Sequence, residues 1–211
     1  VISTDTSRSY RAAFARVKEK IEGVFEASSE IELDPAALQF IDSQLEAIDF
    51  EHTRADVFSE IYETFAGAGD KANEGQFFTP SVAINLLIDL VRPKPGCLVC
   101  DPAAGAGGFL MATAQYWDSK GVNATKISNS LLAAEKDTYL ARILKGRLAL
   151  FLDSTPKVIC GDSLAGVTNT SEPFSFPECD VVLTNPPFGS KIIAANYKTL
   201  SRYDLARKWI R

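Results

Sequence analysis

The chain has 211 residues, enough for one large or two small domains, and its 46% hydrophobic and 23% charged residues exclude a wholly disordered polypeptide. The net charge of −5 is divided unevenly: residues 1–75 carry seven basic and sixteen acidic side chains, whereas residues 76–211 carry fifteen and eleven, so the first third is a poor surface for a polyanion. No apolar run reaches the ~18–20 residues of a membrane span and no basic-then-apolar leader opens the sequence, so we expect a cytoplasmic protein without a membrane segment.

The first third of the chain shows the periodicity of amphipathic helices. Apolar residues recur every three or four positions in three stretches, which begin near Tyr10, Leu38 and Val57. Asp34-Pro35 supplies an N-cap and a proline at the first helical position of the second stretch. We therefore predict a small helical module over residues 1–72.

From residue 73 onward, short apolar runs alternate with helical patterns. Thr79-Pro80 predicts the capped start of a helix that ends before Pro93. Four apolar runs follow, each ending on a polar residue, and helices over 107–117 and 138–150 separate the first three. Such alternation is typical of right-handed crossovers and a parallel sheet, so we predict an α/β domain over residues 73–211. The runs are 97–100, 131–134, 158–160 and 181–184, and residues 165–178 are predicted to form a loop.

The cysteines argue against a metal site. Cys97 and Cys100 have C-x-x-C spacing, but three residues along a predicted strand their side chains face opposite sides of the sheet. No second close pair completes a zinc site, because Cys160 and Cys179 are far apart and His52 is the single histidine. We predict no metal, and reduced, buried thiols at the four cysteines.

A glycine-rich turn, D-P-A-A-G-A-G-G-F, follows the first run at residues 101–109. Gly105, Gly107 and Gly108 allow the backbone to turn tightly and approach a ligand before a helix begins. A phosphate loop of the Walker type is excluded because no Lys-Ser/Thr follows the glycines. Asp101 at the start of the turn favours a cation such as an ammonium over a pyrophosphate. A dinucleotide site and a purely structural turn stay open as alternatives.

Acidic residues follow the second and third runs. Glu135 stands where an acid accepts hydrogen bonds from two ribose hydroxyls, although the neighbouring Asp137 leaves that assignment open. Asp162, in G-D-S-L, is placed to accept a hydrogen bond from an exocyclic amine. Each acid is a weak signal by itself. In series with the glycine turn, they predict a site for adenosine that carries an ammonium-bearing tail.

The fourth run ends in N-P-P-F at residues 185–188. Pro186 and Pro187 fix two φ angles and hold Asn185 extended, and neither proline has an N–H group. The corner therefore presents acceptors, namely the Asn185 side-chain carbonyl and the Pro186 backbone carbonyl. Two acceptors aimed at one amino group draw its hydrogens out of the conjugated plane and leave the nitrogen lone pair free to attack an electrophile. Phe188 offers a flat face for the ring that carries the amine.

These motifs resemble those of a known enzyme family. G-Q-F-F-T-P (75–80), D-P-A-A-G-A-G-G-F (101–109), Glu135 and N-P-P-F (185–188) are similar to the motifs of S-adenosylmethionine-dependent DNA adenine-N6 methyltransferases. The nearest likeness is the modification subunit of type I restriction–modification systems, over about residues 55–211. The resemblance implies a Rossmann-like methyltransferase sheet and S-adenosyl-L-methionine as the cofactor.

The resemblance also implies roles for individual residues. The methionine end of the cofactor would contact Gln76, Phe77, Phe78, Thr79 and Pro80, with Thr79 near the carboxylate. The methionine and sulfonium would be flanked by Asp101, Ala103, Gly105, Ala106 and Gly107. Glu135 would bind the ribose and Asp162 the adenine. The target base would be held by the catalytic corner Asn185, Pro186, Pro187 and Phe188.

In the family, at least three more strands follow the N-P-P-F strand, whereas 23 residues follow Phe188 here. The chain also begins with Val1 rather than Met. We therefore expect a C-terminally truncated piece of a longer protein with about four strands. Its basic final stretch, 191–211, would suit phosphate contacts, and an exposed helix face is the alternative reading.

The expected function is that of a site-specific, adenine-specific DNA methyltransferase, which acts on an adenine flipped out of duplex DNA. We see no sequence-reading motif, so we expect a separate DNA-specificity subunit, with a restriction subunit as a further candidate partner. One alternative is a methyltransferase for an RNA adenine or a protein glutamine. Another is a non-catalytic cofactor-binding or assembly module.

Overall fold

The computed structural model describes residues 4–21, 24–46, 79–154, 156–187, 201 and 203–204. The chain divides into two compact units, Val1–Ile61 and Tyr62–Arg211. The domain boundary predicted between residues 72 and 73 lies outside the described residues and stays a prediction. The same holds for the helix predicted near Val57.

The described part of the first unit contains two helices, α1 (Thr4–Lys20) and α2 (Pro35–Leu45). Asp34 caps α2 as predicted, because its carboxylate accepts a hydrogen bond of 2.9 Å from the backbone N–H three residues on. Across the pair, the Tyr10 hydroxyl donates to Asp42 at 2.7 Å. The two predicted helical patterns in this region are therefore confirmed.

The second unit alternates helices and strands in the predicted order. A short helix, α5, was not predicted, because six residues are too few to show a helical period. The elements are α3 (Ser81–Val91), β1 (Val99–Asp101), α4 (Gly108–Asp118), α5 (Ala124–Asn129), β2 (Leu131–Glu135), α6 (Thr138–Leu152), β3 (Lys157–Asp162), β4 (Val167–Thr168) and β5 (Val181–Val182). None of the described helices is both long and apolar enough to cross a bilayer.

Five strands form one sheet in the order β4-β3-β2-β1-β5. The four predicted strands, β1, β2, β3 and β5, pair parallel with one another, which confirms the predicted α/β class. The fifth strand, β4, pairs antiparallel with β3 inside the segment predicted to be a loop. That prediction is wrong at Val167 and Thr168, because a two-residue strand is too short to show alternation.

The core of the second unit lies against the central strands. Val99, Leu131 and Ala133 are fully or almost fully buried, which explains why β1 and β2 appear in the sequence as continuous apolar runs rather than alternating ones. Trp117 near the end of α4 has no exposed surface, and its indole N–H donates to the Pro93 carbonyl at 2.8 Å. This bond ties α4 to the segment that joins α3 to β1.

The cysteines differ from the prediction. Cys100 in β1 and Cys179 before β5 form a disulfide, with their Cα atoms 6.2 Å apart. The prediction of reduced thiols is therefore wrong for this pair, and Cys97 precedes β1 instead of lying within it. Cys97 and Cys160 are free thiols. The pairing of β1 with β5 brings the two cysteines together although 79 positions separate them in the sequence. Cysteine spacing cannot predict a disulfide over such a separation. In the described parts of the chain, no group of three His, Cys, Asp or Glu side chains could hold a metal ion.

Gly107 at the end of the glycine turn packs directly against α6. Its φ of +84° is in the left-handed region, and a Cβ atom at this position would overlap Cδ1 of Leu144. Both facts require glycine at this position. By contrast, Gly121 has a φ of +73°, and a Cβ atom there would have no other atom within 4 Å, so only the backbone conformation favours glycine.

We expect Gly107→Ala to lower the free energy of unfolding by roughly 3–5 kcal/mol, since it adds a core overlap to the cost of the left-handed backbone. Gly121→Ala is the matched control and should cost only about 1–2 kcal/mol, because it carries the backbone cost alone. Urea denaturation of both variants measures the difference. Equal losses in the two variants would contradict the packing role of Gly107.

Candidate functional site

The pairing of β5 with β1 brings two strand ends side by side. The Leu183 N–H donates to the Cys100 carbonyl at 3.0 Å, so that the next residues, Asp101 and Thr184, are neighbours. In an open parallel sheet the carboxyl ends of all strands lie at one edge, which is where ligands bind. A polar or acidic residue lies at this end of each of the four parallel strands. In sheet order, these are the terminal residues Asp162, Glu135 and Asp101 of β3, β2 and β1, and Asn185 just after β5.

Asp101 is the most deeply buried carboxyl group at this edge, with 1% of its surface exposed. Burial raises its pKa to about 6, and the nearby charge of Glu135 adds to the rise. The Ala103 N–H donates to Asp101 Oδ1 at 3.1 Å and opposes this shift. A buried carboxyl with an elevated pKa gains free energy from a nearby cation, because the cation stabilises its ionised form.

Thr184 also lies against this carboxyl and favours its ionised form. Its Oγ1 is nevertheless buried without a hydrogen bond of standard geometry. A buried hydroxyl without a hydrogen bond is costly, and the Asp101 carboxyl is the acceptor that lies beside Thr184. In the sequence, Thr184 marks the end of an apolar run, and no role at the site was predicted for it.

Glu135 anchors the glycine turn. Its Oε2 accepts a hydrogen bond from the Gly105 N–H at 2.7 Å, and its Oε1 accepts one from the Asp137 N–H at 2.8 Å. Burial raises the pKa of Glu135 despite these two bonds. The Asp137 side chain caps α6 by accepting from the backbone N–H groups of Tyr139 and Leu140, at 2.8 and 3.1 Å. Asp137 therefore has a structural role, and Glu135 is the acid that faces the turn.

Helix α6 supports the same turn from behind. The guanidinium of Arg147, which is 4% exposed, donates to the Ala106 carbonyl. Burial lowers the pKa of Arg147 to about 10, so the side chain is still charged at neutral pH. Together with Glu135 at Gly105 and Leu144 at Gly107, this bond means that side chains of β2 and α6 contact three consecutive residues of the turn. Arg147 was not predicted as a site residue, because one basic residue within a helical pattern is typical of a solvent-exposed position.

Asp162 is the last residue of β3, and two neighbours bind its carboxylate. Its Oδ1 accepts from the Ala165 N–H at 2.9 Å, and its Oδ2 forms an ion pair of 2.9 Å with Lys136. Although burial opposes the shift, these two donors lower the pKa of Asp162. Beyond it in the same loop, the Leu164 carbonyl accepts a hydrogen bond of 2.7 Å from the Tyr203 hydroxyl. An aromatic residue from late in the chain thus lies beside the loop that carries Asp162.

The corner after β5 reaches back to the start of α3. Asn185 is half-buried, and its Nδ2 donates to Thr79 Oγ1 at 3.1 Å. Pro186 and Pro187 are exposed, as a corner that meets a ligand requires. The prediction that Thr79 caps α3 is wrong: the N-cap is Pro80, and no side chain hydrogen-bonds to the first turn. The Thr79 hydroxyl instead accepts the hydrogen bond from Asn185.

The remaining predicted site residues divide into two groups. Ala103 and Pro80 are described and lie at the same edge as their neighbours, in the turn and at the start of α3 respectively. The others, Gln76, Phe77, Phe78 and Phe188, lie outside the described residues.

A cavity of about 510 Å³ opens at the opposite, amino end of the strands and so does not coincide with this edge. It is lined by Leu98, Ser128, Asn129, Leu131, Leu132, Lys157 and Pro177.

The residues at this edge fit S-adenosylmethionine chemically. Asp101 offers a buried anion of elevated pKa, which suits an ammonium group. The glycine turn places backbone rather than side chains next to it. Glu135 has used two of its four or so acceptor positions on backbone N–H groups, which leaves positions for hydroxyl donors.

Comparison with known proteins gives a consistent picture. The model of the N-6 DNA Methylase family matches residues 53–208. The chain is 29% identical over 198 residues to the type I restriction enzyme StySPI methylase subunit of Salmonella potsdam, a match that covers 82% of this chain and 36% of that protein. The chain thus spans little more than a third of the length of this relative.

Two solved structures share the fold. One, from a study of complex assembly and conformational transition of the type I R-M system, has a TM-score of 0.60 and 24% identity, covering 90% of this chain and 39% of that one. The other is a candidate class I S-adenosylmethionine-dependent methyltransferase from Listeria monocytogenes, with a TM-score of 0.58 and 16% identity, covering 85% and 53% of the two chains. At these identities the likeness establishes the fold alone.

Asp101→Asn tests the electrostatic account of the buried carboxyl. A folded-state pKa of about 6 against an ordinary 3.8 means that ionisation of Asp101 opposes folding. Its stabilising contribution is complete below about pH 3.8 and is lost as the pH rises through 6. The asparagine variant avoids that loss, so we expect its stability relative to the native chain to rise by about 1–3 kcal/mol between pH 4 and pH 7.5.

Urea denaturation at the two pH values measures this change. Asp89→Asn, on the exposed surface of α3, controls for the removal of one negative charge. A relative stability of Asp101→Asn that does not vary with pH would contradict the assigned burial and pKa.

Proposed function

Because the chain belongs to the N-6 DNA methylase family, we propose that the complete gene product transfers a methyl group from S-adenosylmethionine to N6 of an adenine in DNA. It would do so as the modification subunit of a restriction–modification system. The observation that carries the proposal is the position of Asn185 and the two prolines: a half-exposed corner without N–H donors, one residue beyond the contact between Thr184 and the buried Asp101.

The corner would act on the target amine through its acceptors. Asn185 Oδ1 and the Pro186 carbonyl would each accept one of the two N6–H groups and turn the nitrogen lone pair out of the ring plane. S-adenosylmethionine, when bound, supplies an electrophilic methyl group on a sulfonium. The amine nitrogen needs no strong base to become nucleophilic. Its lone pair would form the N–C bond as the sulfur–methyl bond breaks and leaves its electron pair on a neutral thioether, and the surplus proton on nitrogen would then pass to solvent. Catalysis by these residues is positioning and electrostatic stabilisation.

The cofactor would be held along the edge of the sheet. Asp101 would accept hydrogen bonds from its ammonium group, and the turn at Gly105 and Gly107 would let the methionine portion approach the backbone. Glu135 would accept from the ribose hydroxyls while keeping its bond to Gly105, and Asp162 would accept from the adenine amine. This arrangement is supported by the burial of Asp101 and by the acceptor positions still open on Glu135.

DNA with a flipped adenine would be the substrate, because a base inside a duplex cannot reach this edge. Flipping costs a few kcal/mol, which stacking and hydrogen bonds to the base edge offset. We infer that a separate specificity subunit reads the DNA sequence and that a restriction subunit joins the same assembly. The acidic first third of the chain disfavours DNA, so the subunit that reads the sequence would supply most of the affinity.

Two alternative functions remain for the same edge of the sheet, and the first of them would also use the corner. An RNA adenine or a glutamine side chain presents the same planar –NH₂ group to two acceptors. A non-catalytic cofactor-binding module would bind S-adenosylmethionine without transferring its methyl group. Assays of the complete gene product on duplex DNA, structured RNA and a glutamine-containing peptide separate these possibilities, and we expect transfer to DNA.

We expect Asn185→Ala to lower methyl transfer to DNA at least about 100-fold, because it removes one of two acceptors that act mainly in the transition state. Its dissociation constant for S-adenosylmethionine, measured by calorimetry, should stay within about threefold of the native value, since the side chain contacts the base. Asn129→Ala, exposed at the opposite end of the sheet, is the matched control.

Transfer by Asn185→Ala at the native rate would show that the assigned role of Asn185 is wrong. A native protein that binds the cofactor and methylates no DNA, even with its partner subunits, would overturn the proposed function itself.

A further inference from the structure

Thr79 stands where a threonine usually caps a helix, but its hydroxyl serves another residue. The N-cap of α3 is Pro80, whose carbonyl accepts the first helical bonds, and no side chain caps the helix. A capping threonine typically stabilises a protein by about 1 kcal/mol, and Thr79 does not make that contribution to α3. Its Oγ1 accepts a hydrogen bond from Asn185 Nδ2 at 3.1 Å, across 106 residues of sequence.

In the structure, this contact places the donor end of the Asn185 carboxamide against Thr79 and leaves its acceptor end for another partner. A carboxamide has a donor end, Nδ2, and an acceptor end, Oδ1, and its terminal torsion has no strong preference between the two orientations. With Nδ2 directed to Thr79, Oδ1 points the other way. The two prolines that follow have no N–H, so the corner then offers acceptors alone. In the reverse orientation Nδ2 would meet the hydrogens of an incoming amine.

We propose that Thr79 is a positioning residue for the base-binding corner. Its hydroxyl binds Asn185 Nδ2 and holds Oδ1 outward to accept a hydrogen bond from the target amino group, and the corner therefore selects targets that donate from an –NH₂ group. This inference rests on the proposed function, and it gives a new role to a side chain that the family resemblance placed near the cofactor carboxylate. Thr79 touches Asn185, so its effect passes through that side chain.

Three variants test the inference in the complete gene product, assembled with its partner subunits. Thr79→Val keeps the shape and removes the hydroxyl, Thr79→Ser restores the hydroxyl, and Ser81→Ala alters an exposed residue two positions on as a control. For each variant, single-turnover methylation of duplex DNA is measured at saturating cofactor. Calorimetry gives the dissociation constant for S-adenosylmethionine.

We expect Thr79→Val to lower the single-turnover rate about 10–100-fold, because a reacting group that is misplaced or turned loses its alignment. The rate of Thr79→Ser should lie within about threefold of native, and Ser81→Ala should not differ. The cofactor dissociation constant should change less than about threefold in all three. In an Asn185→Ala background, Thr79→Val should add no further loss, because two groups that act as a unit are not additive.

A binding measurement gives a second readout that does not depend on turnover. Without cofactor, binding is compared for a duplex with adenine at the target position and one with purine, which lacks the amino group. Weaker pairing makes purine easier to flip, but this effect is the same for every variant. Thr79→Val should therefore lower the ratio of adenine-duplex to purine-duplex affinity relative to the native protein, while retaining the native affinity for the purine duplex, and an unchanged ratio would contradict the inference.

Each contrary result has its own meaning. A native rate in Thr79→Val overturns the inference. So does a variant whose cofactor binding weakens while its rate recovers at saturating cofactor, since Thr79 would then serve the cofactor alone. Absence of methyl transfer to DNA by the native protein overturns the proposed function, and the inference with it, whereas an active native protein with an unaffected Thr79→Val overturns the inference only.

Discussion

The parallel pairing of β5 with β1 is the contact on which the candidate site depends. Neither strand is long: β1 has three residues and β5 has two. Yet their register sets Asp101 beside Thr184, and through the next residue it sets the position of Asn185. If β5 were shifted by one residue, the side chains after it would change faces and the corner would no longer stand next to the buried carboxyl. A few backbone hydrogen bonds therefore determine whether the buried carboxyl of Asp101 and the Asn185-Pro186-Pro187 corner share one edge.

The glycine turn is held by the strand and helix that follow it as well as by hydrogen bonds within the turn, from Ala103 N–H to Asp101 and from Gly107 N–H to Ala104. Glu135 binds Gly105, Arg147 binds the Ala106 carbonyl, and Leu144 leaves no room for a side chain at Gly107. A turn made of small residues has little to pack with and much conformational freedom, so part of its shape must come from its surroundings. Here a carboxylate, a guanidinium and a methyl group supply that part. The partly buried Glu135 and the buried Arg147 therefore have a structural role in the turn.

Much of this arrangement could be predicted from the sequence; α5 and β4 were missed because they are short, and the missed contacts share a different cause. Asp34 capping α2 and the apolar runs of β1, β2, β3 and β5 are local patterns, and they appear as predicted. The contacts that were missed join residues far apart in the chain: Thr79 with Asn185, Arg147 with Ala106, and Cys100 with Cys179. Periodicity and spacing describe neighbours along the chain, so they carry no information on such partners. The roles of Gln76, Phe77, Phe78 and Phe188 stay predictions.

The bond between Cys100 and Cys179 converts the intervening chain into a covalent ring that contains β2, α6 and β3. Closing a loop of 79 residues removes many extended conformations from the unfolded chain, an effect of about 4 kcal/mol in the chain-entropy description. The ring joins the last residue before Asp101 to the segment that leads into β5. In oxidising surroundings the two strands that carry the site are therefore tethered even when the sheet opens. In reducing surroundings they must find each other again by diffusion of the chain.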